Sequence, residues 1–227
     1  MNTFAWNLRY PDAERFSNLI MWAAGTQGPV APPGTYSVRM TVGNDVQTHP
    51  IRVRKDPRST ATDADLQQQF QLLIQIRDKV TEANNGVRTV RNMRYQVADR
   101  TDRLSAQQRA EFARLAGTMM DSLTYRENEV YQTRNQSGQD PLNYPIRLNN
   151  KIAALSGVVG SGEYRPTQQS REAFTRLSRE LDAELAGLKR TFDTSLPALN
   201  AILRAAGLPE LKPSTEEPPP RRGPIAM

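Results

Sequence analysis

The spacing of hydrophobic positions changes period along this chain, and the change divides it into two kinds of structure. In Thr3–Arg9, Phe4, Trp6 and Leu8 alternate with Thr3, Asn7 and Arg9, which is the period of a half-buried strand. Gly34–Val42 repeats the alternation, with Tyr36, Val38, Met40 and Val42 on one side. Pro32-Pro33-Gly34 forms a turn signal before it. Gly43-Asn44-Asp45 is a hairpin signal, and Gln47–Lys55 is the return strand with Ile51 and Val53 inward. Residues 2–57 therefore read as β-structure. The first strand either pairs with the hairpin or lies opposite it. Three strands bury one face and leave edges open, whereas a complete sandwich needs about seven. The β-unit reads as the second half of a sandwich, and a strand beginning directly after Met1 points to a chain whose start lies further upstream.

After a connector at 56–61 the period becomes helical. Thr62 or Asp63 caps a long helix, and Asp63 and Asp65 in its first turn complement the helix dipole. Leu66, Leu73, Val80 and Val87 recur every seventh residue, with Ile76, Ala83, Val90 and Val97 as a companion row. That seam predicts a helix over about 63–102. Gly86 costs it about 1 kcal/mol relative to Ala and marks a place for a local kink. Ser105 caps a second helix running to about Asn135, with Phe112, Leu115, Met119, Leu123 and Val130 as its stripe. A third helix, 146–159, buries Leu148, Ile152, Leu155 and Val159, and Gly160-Ser161-Gly162 ends it. A fourth starts at Thr167 and carries Phe174, Leu177, Leu181, Leu185, Leu188 and Phe192. Pro197 suits a first turn, so a short fifth helix is expected at 197–206, stopping at Gly207.

The predicted fold class is α+β: a small antiparallel sheet, then an antiparallel up-down bundle of about four helices. The predicted divisions are a β-domain at 1–57, the bundle at 58–210 and a tail at 211–227. The tail is proline-rich from Pro213 onward and reads as disordered.

The long interruption of the helical run is Gln139–Lys151, which carries two prolines, three asparagines besides Asp140, and Arg147. It sits where a bundle would reverse direction. Asp140-Pro141 suits a turn start, and Pro145 suits a helix first turn. Asn143 is placed to cap the third helix, and Arg147 to pair with Asp140 or with a carbonyl end. Asn149 and Asn150 are placed to bond across to neighbouring helices. Asp140, Asn143, Tyr144, Arg147, Asn149 and Asn150 are thus the candidate site: either a polar lock for the bundle or a ligand or partner surface.

Composition narrows the chemistry. The 227 residues include no Cys and one His, His49, which excludes disulfides, thiolate catalysis and cysteine zinc sites. No cofactor or metal is predicted. His49, beside Pro50, reads as an exposed edge residue. No apolar run reaches 18 residues, so no transmembrane span is predicted, and no signal-peptide pattern is present. The net charge is +6, with 25 of the 30 cations arginine. Arg88, Arg91 and Arg94 make a basic stripe, but the acids are interspersed along the chain. A nucleic-acid binder concentrates its charge on one face, so nucleic acid is not a predicted partner. Glycoside hydrolysis needs two carboxylates across a cleft. The available pairs, Glu127 with Glu129 and Glu180 with Glu184, read as solvated helix faces. Trp6 reads as core, and Trp22 as a residue covering the sheet or facing the helices.

Asn2–Ala13, with Phe4-Ala5-Trp6-Asn7-Leu8-Arg9-Tyr10-Pro11-Asp12, resembles a strand found late in large bacterial sortilin-like proteins. These are often labelled glycosyl hydrolases or BNR-repeat proteins. Pro33–Arg39, Val53–Arg58 and Thr62–Leu66 continue the resemblance, as do Tyr131-Gln132-Thr133 and Gln139–Lys151. It covers the chain to about residue 210. In that family a secreted β-propeller precedes an Ig-like domain and a helical region. The resemblance implies that the β-unit is a partial Ig-like domain and that this chain is similar to the C-terminal end alone. It further implies a secreted or periplasmic parent, a partner that is either another protein or the chain's own N-terminal propeller, and no catalytic residue here. The function expected is therefore a structural or protein-interaction module. The alternatives are an accessory part of a glycan-hydrolysing enzyme whose active site lies in an N-terminal propeller and, on charge alone, a basic nucleic-acid-binding helical protein.

Overall fold

A computed structural model describes residues 3–218. The fold is α+β: a two-stranded antiparallel hairpin and a bundle of four helices. The strands are β1 (Gly34–Val42) and β2 (Asp45–Val53). The helices are α1 (Asp63–Arg103), α2 (Ala106–Val130), α3 (Leu148–Val159) and α4 (Gln168–Ala205).

The capping chemistry read from the sequence sets the helix starts. Thr62 and Asp65 form a reciprocal capping box at α1. Ser105 and Thr167 accept from the third backbone N–H of α2 and α4. The heptad rows of α1 are buried apart from the half-buried Leu73. Gly86 does not break the helix. A Cβ there would lie 2.7 Å from the Leu185 side chain, so the glycine admits α4 close against α1.

Cross-helix contacts set the helix directions. α1 runs up and α2 returns, with Arg94 bonded to Thr124 and Arg91 to Glu127. α3 continues in the direction of α2, since Asn149 meets Asn84 at its start and Val159 meets Gln69 at its end. α4 then runs up beside α1, from the Arg165–Asp65 pair past Lys79–Asp182. The stretch between α2 and α3 was expected to reverse the chain. It steps the chain sideways instead, and α2 and α3 together span the height of the two long helices. Two cores follow. One joins the first half of α1 with α3, the start of α4 and Ala13 and Phe16; the other joins the second half of α1 with α2, the end of α4 and Leu211.

Several expectations are corrected. Thr3–Arg9 is not a strand: Leu8 takes φ 61°, which breaks the extended run, and one isolated bridge, Arg9 to Val30, remains. Phe4 is 87% exposed, and Trp6 is half-buried, edge-on to Tyr36 at 5.5 Å, rather than in a core. α2 stops at Val130 because Tyr131 turns inward against Phe16. There is no separate fifth helix: α4 runs through Pro197. Leu181, Leu188, Phe192, Leu199 and Leu203 form one buried stripe across the proline, and packing that stripe outweighs one lost backbone bond. The chain from Leu211 to residue 218 falls in the tail that the composition marks as disordered. It lies extended on the bundle, with Leu211 buried. The expected tail beyond 218 lies outside the described residues.

Candidate functional site: an amide-clamped junction and an uncovered hairpin

The gap where α2 hands over to α3 is filled by residues 13–24, which form no helix or strand. Such a segment must find partners for its backbone polar groups, and side chains of the bundle supply them. Asn150 Oδ1 accepts from Trp22 N–H at 2.7 Å, and Asn150 Nδ2 donates to Trp22 C=O at 2.9 Å. Asn149 Nδ2 donates to Asn84 Oδ1 at 3.3 Å, and Asn84 Nδ2 to Glu14 C=O at 2.7 Å. The Tyr131 hydroxyl accepts from Ile20 N–H and donates to Asn18 C=O. Asn84, Asn149 and Asn150 are all buried. Trp22 itself is exposed, its backbone rather than its ring being the anchored part.

The remaining motif residues separate. Asp140 opens a short 3-10 turn, Asp140–Leu142. Its carboxylate accepts from the backbone N–H groups of Gln136 and Ser137 and from the Ser137 hydroxyl, which holds it below the usual aspartate range. Arg147 does not reach Asp140. It pairs with Glu129 at 3.4 Å and precedes α3 without capping it. Asn143 ends the 3-10 turn, is exposed, and does not cap α3. Tyr144 is half-buried under the Arg134 guanidinium at 4.1 Å. Pro145 lies before α3, its C=O accepting from Gln132 Nε2. The structure thus joins Asn149 and Asn150 in one network and leaves Asp140, Asn143, Tyr144 and Arg147 around the connecting loop.

An ionic cluster above the asparagines has a different form from the one expected. Glu127 is 3% exposed, not solvated. Its two oxygens take Arg91 Nε at 3.0 Å and Arg94 NH1. Arg91 also stacks over Phe16 at 4.6 Å and donates to Ser17 C=O. Arg88 pairs with Glu14 at 3.2 Å. Glu217 accepts from Ser17 N–H and its hydroxyl, and its carboxyl is held low by the hydroxyl first and by Arg88 and Arg91 beyond it. The basic stripe is therefore internally compensated. The carboxylate pairs share no cleft: Glu127 faces inward, Glu129 meets Arg147, Glu184 meets Arg126 at 2.7 Å and Glu180 faces Arg176. Among the described residues no group of three or more potential metal ligands occurs, and no helix is long and apolar enough to cross a membrane.

The hairpin carries the surface that sequence reasoning misplaced. Register pairs Tyr36 with Ile51, Val38 with His49 and Met40 with Gln47, so Tyr36, Val38, Met40, Val42, Ile51 and Val53 share one face, as the alternation predicts. That face is open. Met40 is 54% and Val42 66% exposed, and Val38 and Ile51 are also exposed. Neither strand packs on any helix. Among the strand cations, Arg39 and Arg52 have no carboxylate partner among the described residues, while most helix-borne arginines around the junction do. His49 is exposed, as the sequence suggests.

Compared with protein-family models, curated proteins and solved structures, the chain matches none.

Proposed function

We propose that this chain is a non-catalytic structural or protein-interaction module. The bundle is its rigid base, and the hairpin is the element that engages another β-structure. One observation carries this reading: an alternating apolar face on a two-stranded sheet that no other element covers. A lone two-stranded hairpin is marginal in water, and strands gain independent stability from a third strand or a packed layer. An exposed apolar patch with polar surroundings marks a binding surface. The resemblance to sortilin-like proteins supplies the context, in which the partner is a secreted β-propeller carried on the same polypeptide or on another. The junction at Asn84, Asn149 and Asn150 then serves as the lock that holds the segment leading into the hairpin on the bundle.

The test is complex formation between this chain and a separately produced sortilin-like propeller, followed by size-exclusion chromatography and calorimetry. Met40→Asp and Val38→Asp should abolish the complex while leaving helical content and Tm unchanged. No complex with the parent chain, or one indifferent to both substitutions, would refute the reading. So would glycan turnover by this chain alone.

A further inference from the structure

Resting on the reading of the hairpin as a docking element, we infer which edge it uses and what it accepts: the outer edge of β1 takes up an extended strand of a partner protein in which apolar and acidic residues alternate. The two edges are not equivalent. Pro50 lies mid-way along β2, opposite Ser37. A sheet tolerates proline only where its missing N–H would point out of the ladder, so the Ser37–Pro50 pair is not hydrogen-bonded. Antiparallel pairs alternate, so Thr35, Ser37, Arg39 and Thr41 turn their N–H and C=O groups away from β2. The outer edge of β2 lacks a donor at its centre. The outer edge of β1 contains no proline and offers an uninterrupted row of donors and acceptors along its 9 residues.

The side chains define the partner. A strand added beside β1 places alternate residues next to Tyr36, Val38, Met40 and Val42, where apolar side chains extend the open face. Its other residues lie beside Thr35, Ser37, Arg39 and Thr41. The polar face of the hairpin holds Thr35, Ser37, Arg39, Thr41, Val46, Thr48, Pro50 and Arg52. That is two cations and no acid, with neither cation paired within the described residues. Opposite charges on neighbouring strands attract and like charges repel, so the alternate polar positions of the incoming strand are acidic.

The experiment uses the full chain, isotopically labelled, with two synthetic peptides matching β1 in length. One alternates valine with glutamate, the other valine with lysine. The glutamate peptide should bind with amide shifts concentrated at 35–41, and the lysine peptide at least about tenfold more weakly. Ser37→Pro, which removes an outward donor in register with Pro50, should weaken the glutamate peptide by about tenfold. Arg39→Glu, which leaves the backbone intact, should reverse the preference between the peptides even if Ser37→Pro disturbs the hairpin. Absent binding of the glutamate peptide, equal binding of both, or an unchanged preference in Arg39→Glu overturns the inference. A propeller complex that depends on Met40 while the peptides fail removes strand addition alone; peptide binding without a propeller complex removes the propeller partner alone.

Discussion

At the scale of the residue, the asparagine pair and Arg147 come from one motif but do different work. Asn150 satisfies both backbone groups of Trp22. Truncating it leaves a donor and an acceptor without partners in a part-buried site, at a cost of about 1–3 kcal/mol. Arg147 and Glu129 are each about one-third exposed and meet at 3.4 Å, a pair of the kind that contributes less than about 1 kcal/mol. Thermal unfolding of Asn150→Ala and Arg147→Ala should therefore separate, with the larger loss of Tm in Asn150→Ala. Hydrogen exchange should show residues 18–24 opening in that variant only. Equal losses would remove the distinction between the two, and a larger loss in Arg147→Ala would place the lock there instead. Proximity in sequence made these residues look like one site, but only three-dimensional placement divides them. The third member of the network, Asn84, sits in a heptad helix and gave no sequence signal beyond its neighbour Asn85.

At the scale of the element, local chemistry was legible and long-range packing was not. The α1 seam, the Thr62 cap and the hairpin turn follow from spacing and turn residues, because the forces that set them act over a few residues. Gly43 at φ 61° leads the two-residue turn, as a type II′ geometry requires. Pro197 misled for the opposite reason: its local preference is clear, but the stripe from Leu181 to Leu203 continues in phase across it. Read at a period of seven and four, that stripe was available in the sequence. The open hairpin face was legible as a face but not as uncovered, since alternation reports which side is apolar and not what lies against it. The α1 cap also fixes a pH dependence. The hydroxyl of Thr62 and then Arg165 hold the Asp65 carboxyl at about 2, below its ordinary 3.8. A carboxylate depressed by folding stabilises the native state above its unfolded pKa, and that stability is lost as pH falls through the folded value. The cap's contribution to stability should be intact from neutral pH down to about 4 and be lost between about 4 and 2. Asp65→Asn should lower Tm at neutral pH and flatten part of its fall over that window, and an unchanged slope would show that the cap does not couple to folding.

At the scale of the whole molecule, two extended arms are tied to a helical frame by side-chain amides. Asn150 holds Trp22, Asn200 holds Leu211 through both N–H and C=O at 2.8 and 3.1 Å, and Gln96 does the same for Lys212 at 3.0 and 2.7 Å. Each clamp gives an extended residue the two bonds that a neighbouring strand would otherwise provide. Asn92 and Arg100 add single bonds to Glu216 and Pro209, and Glu217 closes onto Ser17, so the C-terminal arm rests on the N-terminal one. The proline-rich composition suggested disorder because composition does not report the amides waiting on α1 and α4. The arm's anchorage is uneven. Leu211 is 1% exposed in the second core, and Leu211→Ala should cost about 2–4 kcal/mol through lost burial and a residual cavity. Glu217 is exposed, and among the described residues its carboxylate bonds only the Ser17 N–H and hydroxyl across from it. Glu217→Ala should leave global Tm nearly unchanged yet speed hydrogen exchange at Ser17 and along 214–217. The two variants therefore predict a graded release, with global unfolding governed at Leu211 and fraying governed at Glu217. A large Tm loss in Glu217→Ala with little in Leu211→Ala would invert that order and make the contact between the two arms, rather than the core beneath them, the main support of the C-terminal segment.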